Sequence, residues 1–156
     1  MSKPTLYIIC GLPASGKTTL AKKIIEKCKA FHLSEDEWLK DLIGLYDNDE
    51  MRANVAKLHL KIAKALLSRN INVVMDGGYY SKQERDNLKQ LAKVVSANSE
   101  LYYMKADFET LNARRIARNK SLNKEFWTTE ANLKKAISFF EEPIDKEKYN
   151  CHLQYN

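Results

Sequence analysis

The residues with the clearest chemistry lie near the amino terminus, where two glycines precede a lysine and a threonine. Gly11 to Thr18 fits the pattern G-x-x-x-x-G-K-[ST], between an apolar run and an amphipathic segment. Backbone N–H groups of such a loop point inward, and the following helix adds the positive end of its dipole. The pattern predicts a phosphate-binding loop in which Lys17 reaches the β- and γ-phosphates and Thr18 ligates Mg²⁺. The residues predicted to bind the nucleotide are Gly11, Pro13, Ala14, Ser15, Gly16, Lys17, Thr18 and Thr19.

A second candidate metal ligand ends an apolar run. Asp76 follows residues 71–75 and precedes Gly77 and Gly78. Mg²⁺ prefers oxygen ligands and keeps much of its water, so a carboxylate at the end of a buried strand can hold it, usually through water. The same aspartate could instead form a turn or cap a helix. Both interpretations remain open at this point.

Two further features bear on where a phosphate would go. Asp36 could orient an acceptor hydroxyl and accept its proton. Arg114 and Arg118 are four residues apart, so one helical face could aim both at a transferring phosphoryl group. The alternative is a solvated arginine face. Residues 120–127 break the helical pattern and end in two aromatic residues, which is typical of a lid. We predict that Lys17, Asp36, Arg114 and Arg118 are catalytic.

The composition favours a single compact domain over residues 1–156. Hydrophobic residues make up 44% and charged residues 29% of the chain, which is ordinary for a protein with one core. No apolar run approaches the roughly 18 residues of a membrane span, and we expect a cytoplasmic protein. The three cysteines show no disulfide or metal-ligand spacing, so we expect reduced thiols. The three histidines lack a metal motif and are interpreted as structural or incidental.

Apolar runs and amphipathic segments alternate along the chain. Strands are predicted at residues 5–10, 30–33, 71–75, 101–104 and 151–155. Helices are predicted after residue 16, over 48–69, after the Ser81–Glu84 capping box, over 110–119, and after a cap at Thr128 or Thr129. This alternation predicts an α/β fold with a parallel sheet covered by helices on both faces.

Apolar residues at helical spacing predict inward faces for the helices, including the following two. For the helix over 48–69, the residues expected to face the core are Met51, Val55, Leu58, Ile62, Ala65 and Leu66. For the last helix they are Leu133, Ala136, Ile137 and Phe140.

The chain resembles the small P-loop kinases related to phage polynucleotide kinase, zeta toxin and chloramphenicol phosphotransferase. The resemblance covers nearly the whole chain, and its segments HLSxDEW and DxGxxSxxERD are similar to those of bacterial ATP-binding proteins of this group. The segments that carry it are 11–18, 32–38, 74–79, 81–85 and 111–119. It implies a P-loop NTPase fold with a five-stranded parallel sheet and a basic lid. It also implies that Asp36 is the general base, that Arg118 and Arg114 are lid arginines, and that ATP is the nucleotide.

The charge pattern bears on the acceptor. The net charge is +6, yet residues 35–50 contain seven acidic residues and one lysine. In phage polynucleotide kinase an arginine precedes the catalytic aspartate and contacts the nucleic-acid phosphate, whereas Glu35 stands there in this chain. Each unscreened like-charge encounter would cost about 1 kcal/mol, which disfavours a polyanion.

We therefore expect a kinase that uses ATP and Mg²⁺ to phosphorylate a hydroxyl of a small neutral or cationic molecule. A polynucleotide 5′-hydroxyl kinase and a nucleotide-binding regulator without a transfer substrate remain alternatives. The aromatic residues Trp38, Tyr79, Tyr80 and Trp127 could stack on a base or sugar, or simply pack. The oligomeric state is left open.

Overall fold

A computed structural model of the chain describes residues 2–44 and 48–153. One parallel sheet has the strand order β2-β3-β1-β4-β5. The strands are β1 (Thr5–Gly11), β2 (Phe31–Ser34), β3 (Val73–Asp76), β4 (Asn98–Lys105) and β5 (Tyr149–Leu153). The predicted five-stranded α/β fold is confirmed. The predicted last strand is shifted, and positions 154 and 155 lie outside the described residues.

Helices cover both faces of the sheet, as predicted. They are α1 (Lys17–Cys28), α2 (Glu35–Ile43), α3 (Asp49–Leu67), α4 (Lys82–Val94), α5 (Phe108–Asn119) and α6 (Glu130–Phe139). Strand β1 alternates between two apolar clusters: Leu6 and Ile8 belong to one, and Tyr7 and Ile9 to the other. This alternation follows from the two-residue repeat of a strand and buries β1 on both sides.

The strand order places the ends of β1, β2 and β3 together. Ile9 and Ser34 both pair in register with Asp76. After β1 the chain builds β2 and β3 on one side and β4 and β5 on the other. Such a reversal leaves a crevice at the carboxyl ends of the strands, where ligands of parallel α/β folds bind.

Helix α3 packs through a different face from the predicted one. Its buried residues are Val55, His59, Ala63 and Leu67. Leu58, which we expected in the core, is 42% exposed, and Ala65 is also exposed. The predicted face was wrong in part because it omitted His59, whose side chain is completely buried and packs edge-on against Trp38, with ring centroids 4.7 Å apart.

Helix α6 begins at its predicted cap but has a narrower buried stripe. The Thr129 side chain accepts a hydrogen bond from the Asn132 N–H, and Leu133 and Ala136 are buried. Ile137 is 37% exposed, so its predicted inward position was wrong. Phe140 follows the helix and packs against Tyr103, with ring centroids 5.5 Å apart.

A buried ion pair connects helix α4 to the carboxyl-terminal segment. Arg85 Nε donates to Glu147 Oε2 at 2.8 Å, and its Nη2 donates to Oε1 at 3.0 Å. Arg85 Nη1 donates to the carbonyl oxygens of Tyr79 and Tyr80, at 3.0 and 3.2 Å. The hydrogen bonds from Arg85 lower the pKa of Glu147. The pair therefore fixes the loop after β3.

The capping box predicted for α4 is present at Ser81 and Glu84. None of the helices within residues 2–44 and 48–153 is long and apolar enough to cross a membrane.

Candidate active site

The glycine-rich loop joins β1 to α1 at the carboxyl edge of the sheet. Gly11 has a φ of 150°, and a Cβ there would lie 2.8 Å from both the Met104 carbonyl oxygen and Ser15 Oγ, so only glycine fits. Lys17 is the first residue of α1, and its Nζ donates to the Leu12 carbonyl oxygen at 2.9 Å. The loop thus has the strand–loop–helix context that phosphate binding requires.

A cavity of about 740 Å³ opens beside this loop. Its walls include six of the residues predicted to bind the nucleotide, namely Pro13, Ala14, Gly16, Lys17, Thr18 and Thr19. They also include Asp36, Asp76, Arg114 and Arg118. Gly11 and Ser15 are buried in the loop itself. The structure therefore brings every predicted catalytic and metal-ligating residue to one cavity.

The charges in this cavity act on one another. The protein around Lys17 shields its ammonium from water and lowers its pKa. Asp76 and Asp36 oppose this by favouring the charged form, while Arg118 adds to the lowering. Charged residues from three other segments thus contribute to the electrostatic environment of this lysine.

Asp76 is held by a residue that we interpreted as structural or incidental. Its carboxylate is almost fully buried, and its Oδ2 lies 3.2 Å from His32 Nε2. The sequence places His32 on β2, and its register with Val74 of β3 brings the imidazole beside the end of that strand. His32 therefore orients the carboxylate that we predicted as a metal ligand.

The donor set fits Mg²⁺. Thr18 offers a hydroxyl oxygen and Asp76 a carboxylate oxygen on the walls of one cavity. Among the described residues there is no cluster of three or more acidic, histidine or cysteine ligands. The hydroxyl and carboxylate oxygens of Thr18 and Asp76 are the ligand type that Mg²⁺ prefers.

Asp36 lies in the first turn of α2, a helix that the sequence analysis did not predict. The Ser34 side chain caps this helix by accepting a hydrogen bond from the Glu37 N–H. Arg52 of α3 donates from both Nη1 and Nη2 to Asp36 Oδ1, each at 3.2 Å. Arg52 was not predicted as a site residue.

Glu35 is the second carboxylate that contacts Arg52. Its Oε2 lies 3.5 Å from Arg52 Nη1, and the residue is only 9% exposed. Burial raises the pKa of Glu35 to about 7, although Arg52 acts in the opposite direction. At neutral pH this acid is therefore only partly ionised.

The segment after α5 folds back onto the end of that helix. Asn119 Nδ2 donates to the Thr128 carbonyl oxygen at 2.9 Å, and the Thr128 N–H donates back to Asn119 Oδ1 at 3.2 Å. Arg115 Nη1 donates to the same carbonyl at 3.1 Å. These bonds hold Phe126 and Trp127 against the cavity. The predicted lid segment thus lies beside Arg114 and Arg118.

The aromatic residues divide into packing and cavity-lining groups. Trp38 packs against His59 and does not line the cavity, whereas Tyr79, Tyr80 and Trp127 do. Tyr79 has a φ of 44°, a strained conformation for a side chain of this size. Its hydroxyl is buried and has no hydrogen-bond partner among the described residues.

The family model described as an AAA domain matches residues 6–143. The chain belongs to this family. Our prediction that it is one of the small P-loop kinase group is confirmed, and the fold comparison agrees.

Three solved structures illustrate the likeness of this AAA domain to known folds. A gluconokinase from Sinorhizobium meliloti has 16% identity and a TM-score of 0.70, over 98% of this chain and 84% of that one. Kti12 from Chaetomium thermophilum in complex with ADP-AlF3 has 20% identity and a TM-score of 0.75, over 96% and 88%. A chain of the Pnkp1/Rnl/Hen1 RNA repair complex has 20% identity and a TM-score of 0.75, over 88% of this chain and 44% of that one.

Proposed function

We propose that this protein is an ATP-dependent kinase that transfers the γ-phosphate to a hydroxyl group of a small neutral or cationic acceptor. One observation carries the proposal: the phosphate-binding loop and Asp36 line the same cavity. Asp36 contributes to the electrostatic environment of Lys17, so an acceptor beside Asp36 would lie close to phosphates held by Lys17. A nucleotide-binding regulator would not need a carboxylate at that position.

The residues of the cavity can divide the work of phosphoryl transfer. The loop N–H groups and Lys17 bind the phosphates, and Asp36 orients the acceptor hydroxyl. The hydroxyl oxygen forms a bond to the γ-phosphorus, its proton passes to Asp36, and the bond to the β-phosphate oxygen breaks to release ADP. Arg114 and Arg118 stabilise the charge of the transferring group. Thr18 and Asp76 would hold Mg²⁺, which when bound neutralises phosphate charge.

The charges around Asp36 support a neutral or cationic acceptor. Six acidic and five basic residues line the cavity. The acidic residues are Glu35, Asp36, Asp49, Asp76, Glu84 and Glu125, and the basic residues are Lys17, Arg52, Arg114, Arg118 and Lys135. The Arg52 guanidinium is shared by two carboxylates, so little of its charge is available to a ligand. An anionic acceptor would therefore meet a surplus of negative charge.

A polynucleotide 5′-hydroxyl kinase is the second candidate. The Arg52 guanidinium contacts Glu35, which the sequence analysis did not anticipate. This contact offsets part of the negative charge of Glu35 and so weakens the objection that we based on that residue. The likeness to a chain of an RNA repair complex shows a common fold and does not decide between the two acceptors.

A radiolabel transfer assay tests the proposal. The protein is incubated with Mg²⁺ and γ-labelled ATP against a panel of aminoglycosides, nucleosides and sugars, and against 5′-hydroxyl oligonucleotides at several salt concentrations. We expect label on a small hydroxyl compound, and label on the oligonucleotides instead would favour the second candidate.

Two variants of helix α2 give a matched control. Asp36→Asn should abolish transfer while nucleotide binding survives, because the loop is untouched. Asp41→Asn removes an exposed carboxylate of the same helix that does not line the cavity, and it should keep wild-type activity. Normal transfer by Asp36→Asn would defeat the assignment of Asp36.

A further inference from the structure

The acceptor side of the cavity contains one guanidinium held by two neighbouring carboxylates. Arg52 reaches from the first turns of α3 to Glu35 and Asp36 at the start of α2. Arg52 Nη1 and Nη2 both donate to the same oxygen of Asp36, Oδ1. Among the described residues, no side chain or N–H group donates to Oδ2 of Asp36, so this oxygen can accept a hydrogen bond from a ligand.

Glu35 restrains the position of the Arg52 guanidinium. The Glu35 carboxyl is fixed by burial, and it contacts Arg52 Nη1 at 3.5 Å. A planar guanidinium that contacts a buried carboxyl loses much of its freedom to rotate. It therefore restrains its second partner, the Asp36 side chain, which is 59% exposed and would otherwise sample several rotamers.

We propose that Arg52 is a positioning residue for phosphoryl transfer, which holds Asp36 by Oδ1 so that Oδ2 meets the acceptor hydroxyl. This role rests on the proposed kinase function. It goes beyond that function because it assigns a role to Arg52 of α3, whereas the proposed base, Asp36, lies on α2.

Arg52 is expected to act on the rate through the orientation of Asp36. In a loose phosphoryl-transfer transition state the attacking oxygen bears little new charge, so the orientation of the hydroxyl matters more than the strength of the base. Misplacing a reacting group by about 1 Å can cost about 100-fold in rate. Loss of this orientation is therefore expected to lower the rate.

The test compares Arg52→Ala with Arg69→Ala, which removes an exposed arginine just after the same helix. Each variant is assayed with the best acceptor of the panel, and by ATP hydrolysis, in which water is the acceptor. We expect kcat of Arg52→Ala to fall by about 10- to 100-fold, with KM for ATP within about twofold of wild type. Arg69→Ala should match wild type in both constants.

Conservative and chemical rescue distinguish positioning from folding. Arg52→Lys should recover only part of kcat, because an ammonium cannot hold two carboxylates in one plane. Added guanidinium ion, at concentrations that leave the melting temperature unchanged, should raise kcat of Arg52→Ala and leave Arg69→Ala unaffected.

Three results would overturn the role. An unchanged or increased kcat in Arg52→Ala would show that orientation by Arg52 is not needed. A loss of ATP affinity equal to the loss of kcat would show a merely structural effect. A wild-type protein that transfers to no acceptor and hydrolyses no ATP would overturn the proposed function as well, whereas the first two results leave that function standing.

Discussion

Removing one partner of the buried Arg85–Glu147 pair should destabilise the protein more than removing both. Arg85 is completely buried and makes four hydrogen bonds, two to the Glu147 carboxylate and two to backbone carbonyls. Glu147→Ala leaves the guanidinium charged and without its counter-ion, and breaking such a pair costs about 3–5 kcal/mol. Arg85→Met likewise leaves the buried Glu147 carboxylate without its counter-ion.

The double variant Arg85→Met/Glu147→Leu removes both charges at once. The Tyr79 carbonyl then loses its donor, while the Tyr80 carbonyl keeps the N–H of Glu141 at 2.8 Å. One unsatisfied carbonyl costs about 1–3 kcal/mol. We therefore expect the double variant to be less destabilised than either single variant, with a coupling energy of several kcal/mol.

Urea denaturation at pH 7 measures the free energy of unfolding for the four proteins. Because Arg85 lowers the pKa of Glu147, the contribution of this carboxylate is present above its ordinary pKa and is lost as the pH falls through the lowered value. The destabilisation caused by Glu147→Ala should accordingly shrink in acid. The reasoning fails if the double variant loses as much stability as the two single variants together, or if Glu147→Ala costs under about 1 kcal/mol.

Three further variants test other parts of the fold. Burial raises the pKa of Glu35 from 4.5 to about 7, so the free energy of unfolding should fall by up to about 3 kcal/mol as the pH rises across that range. The stability of Glu35→Gln relative to wild type should therefore increase with pH, and a pH-independent difference would contradict this. Burial lowers the pKa of His59 from 6.5 to about 4, so wild type should lose up to about 3 kcal/mol of stability relative to His59→Leu as the pH falls over that range. Thermal melts at each pH measure this difference, and the same pH dependence of stability in both proteins would refute it. Gly77→Ala should cost about 1–3 kcal/mol in urea, because its Cβ would lie 2.7 Å from the buried Tyr79 ring; wild-type stability would mean that the ring moves freely.

The sequence was most informative where a function depends on a short local pattern. The loop from Gly11 to Thr18, the capping box at Ser81 and the acid at the end of β3 each follow from neighbouring residues. Their grouping at one sheet edge follows from parallel strands, whose carboxyl ends all lie together. The catalytic and binding roles of these residues stay predictions.

Contacts between distant segments could not be predicted in this way. Arg52 meets Asp36 across 16 positions, and nothing in the local pattern of either residue indicates the partner. His32 reaches Asp76 only because β2 pairs with β3. The face of α3 was misjudged because His59, an ionisable residue, is kept neutral and packed against an aromatic ring. In each case the surroundings of the residue are set by contacts between distant segments, which the residue type and its neighbours in the sequence do not indicate.

The hydrogen bond from Lys17 to Leu12 has a consequence for how this loop meets its ligand. The ammonium is already partly shielded from water and already bound to an oxygen atom of its own loop. An arriving triphosphate exchanges one oxygen neighbour for another, and no full hydration shell has to be stripped from the lysine at that moment. Part of the energetic penalty of dehydrating this cation is thus incurred once, when the polypeptide folds, and is not repeated in every turnover.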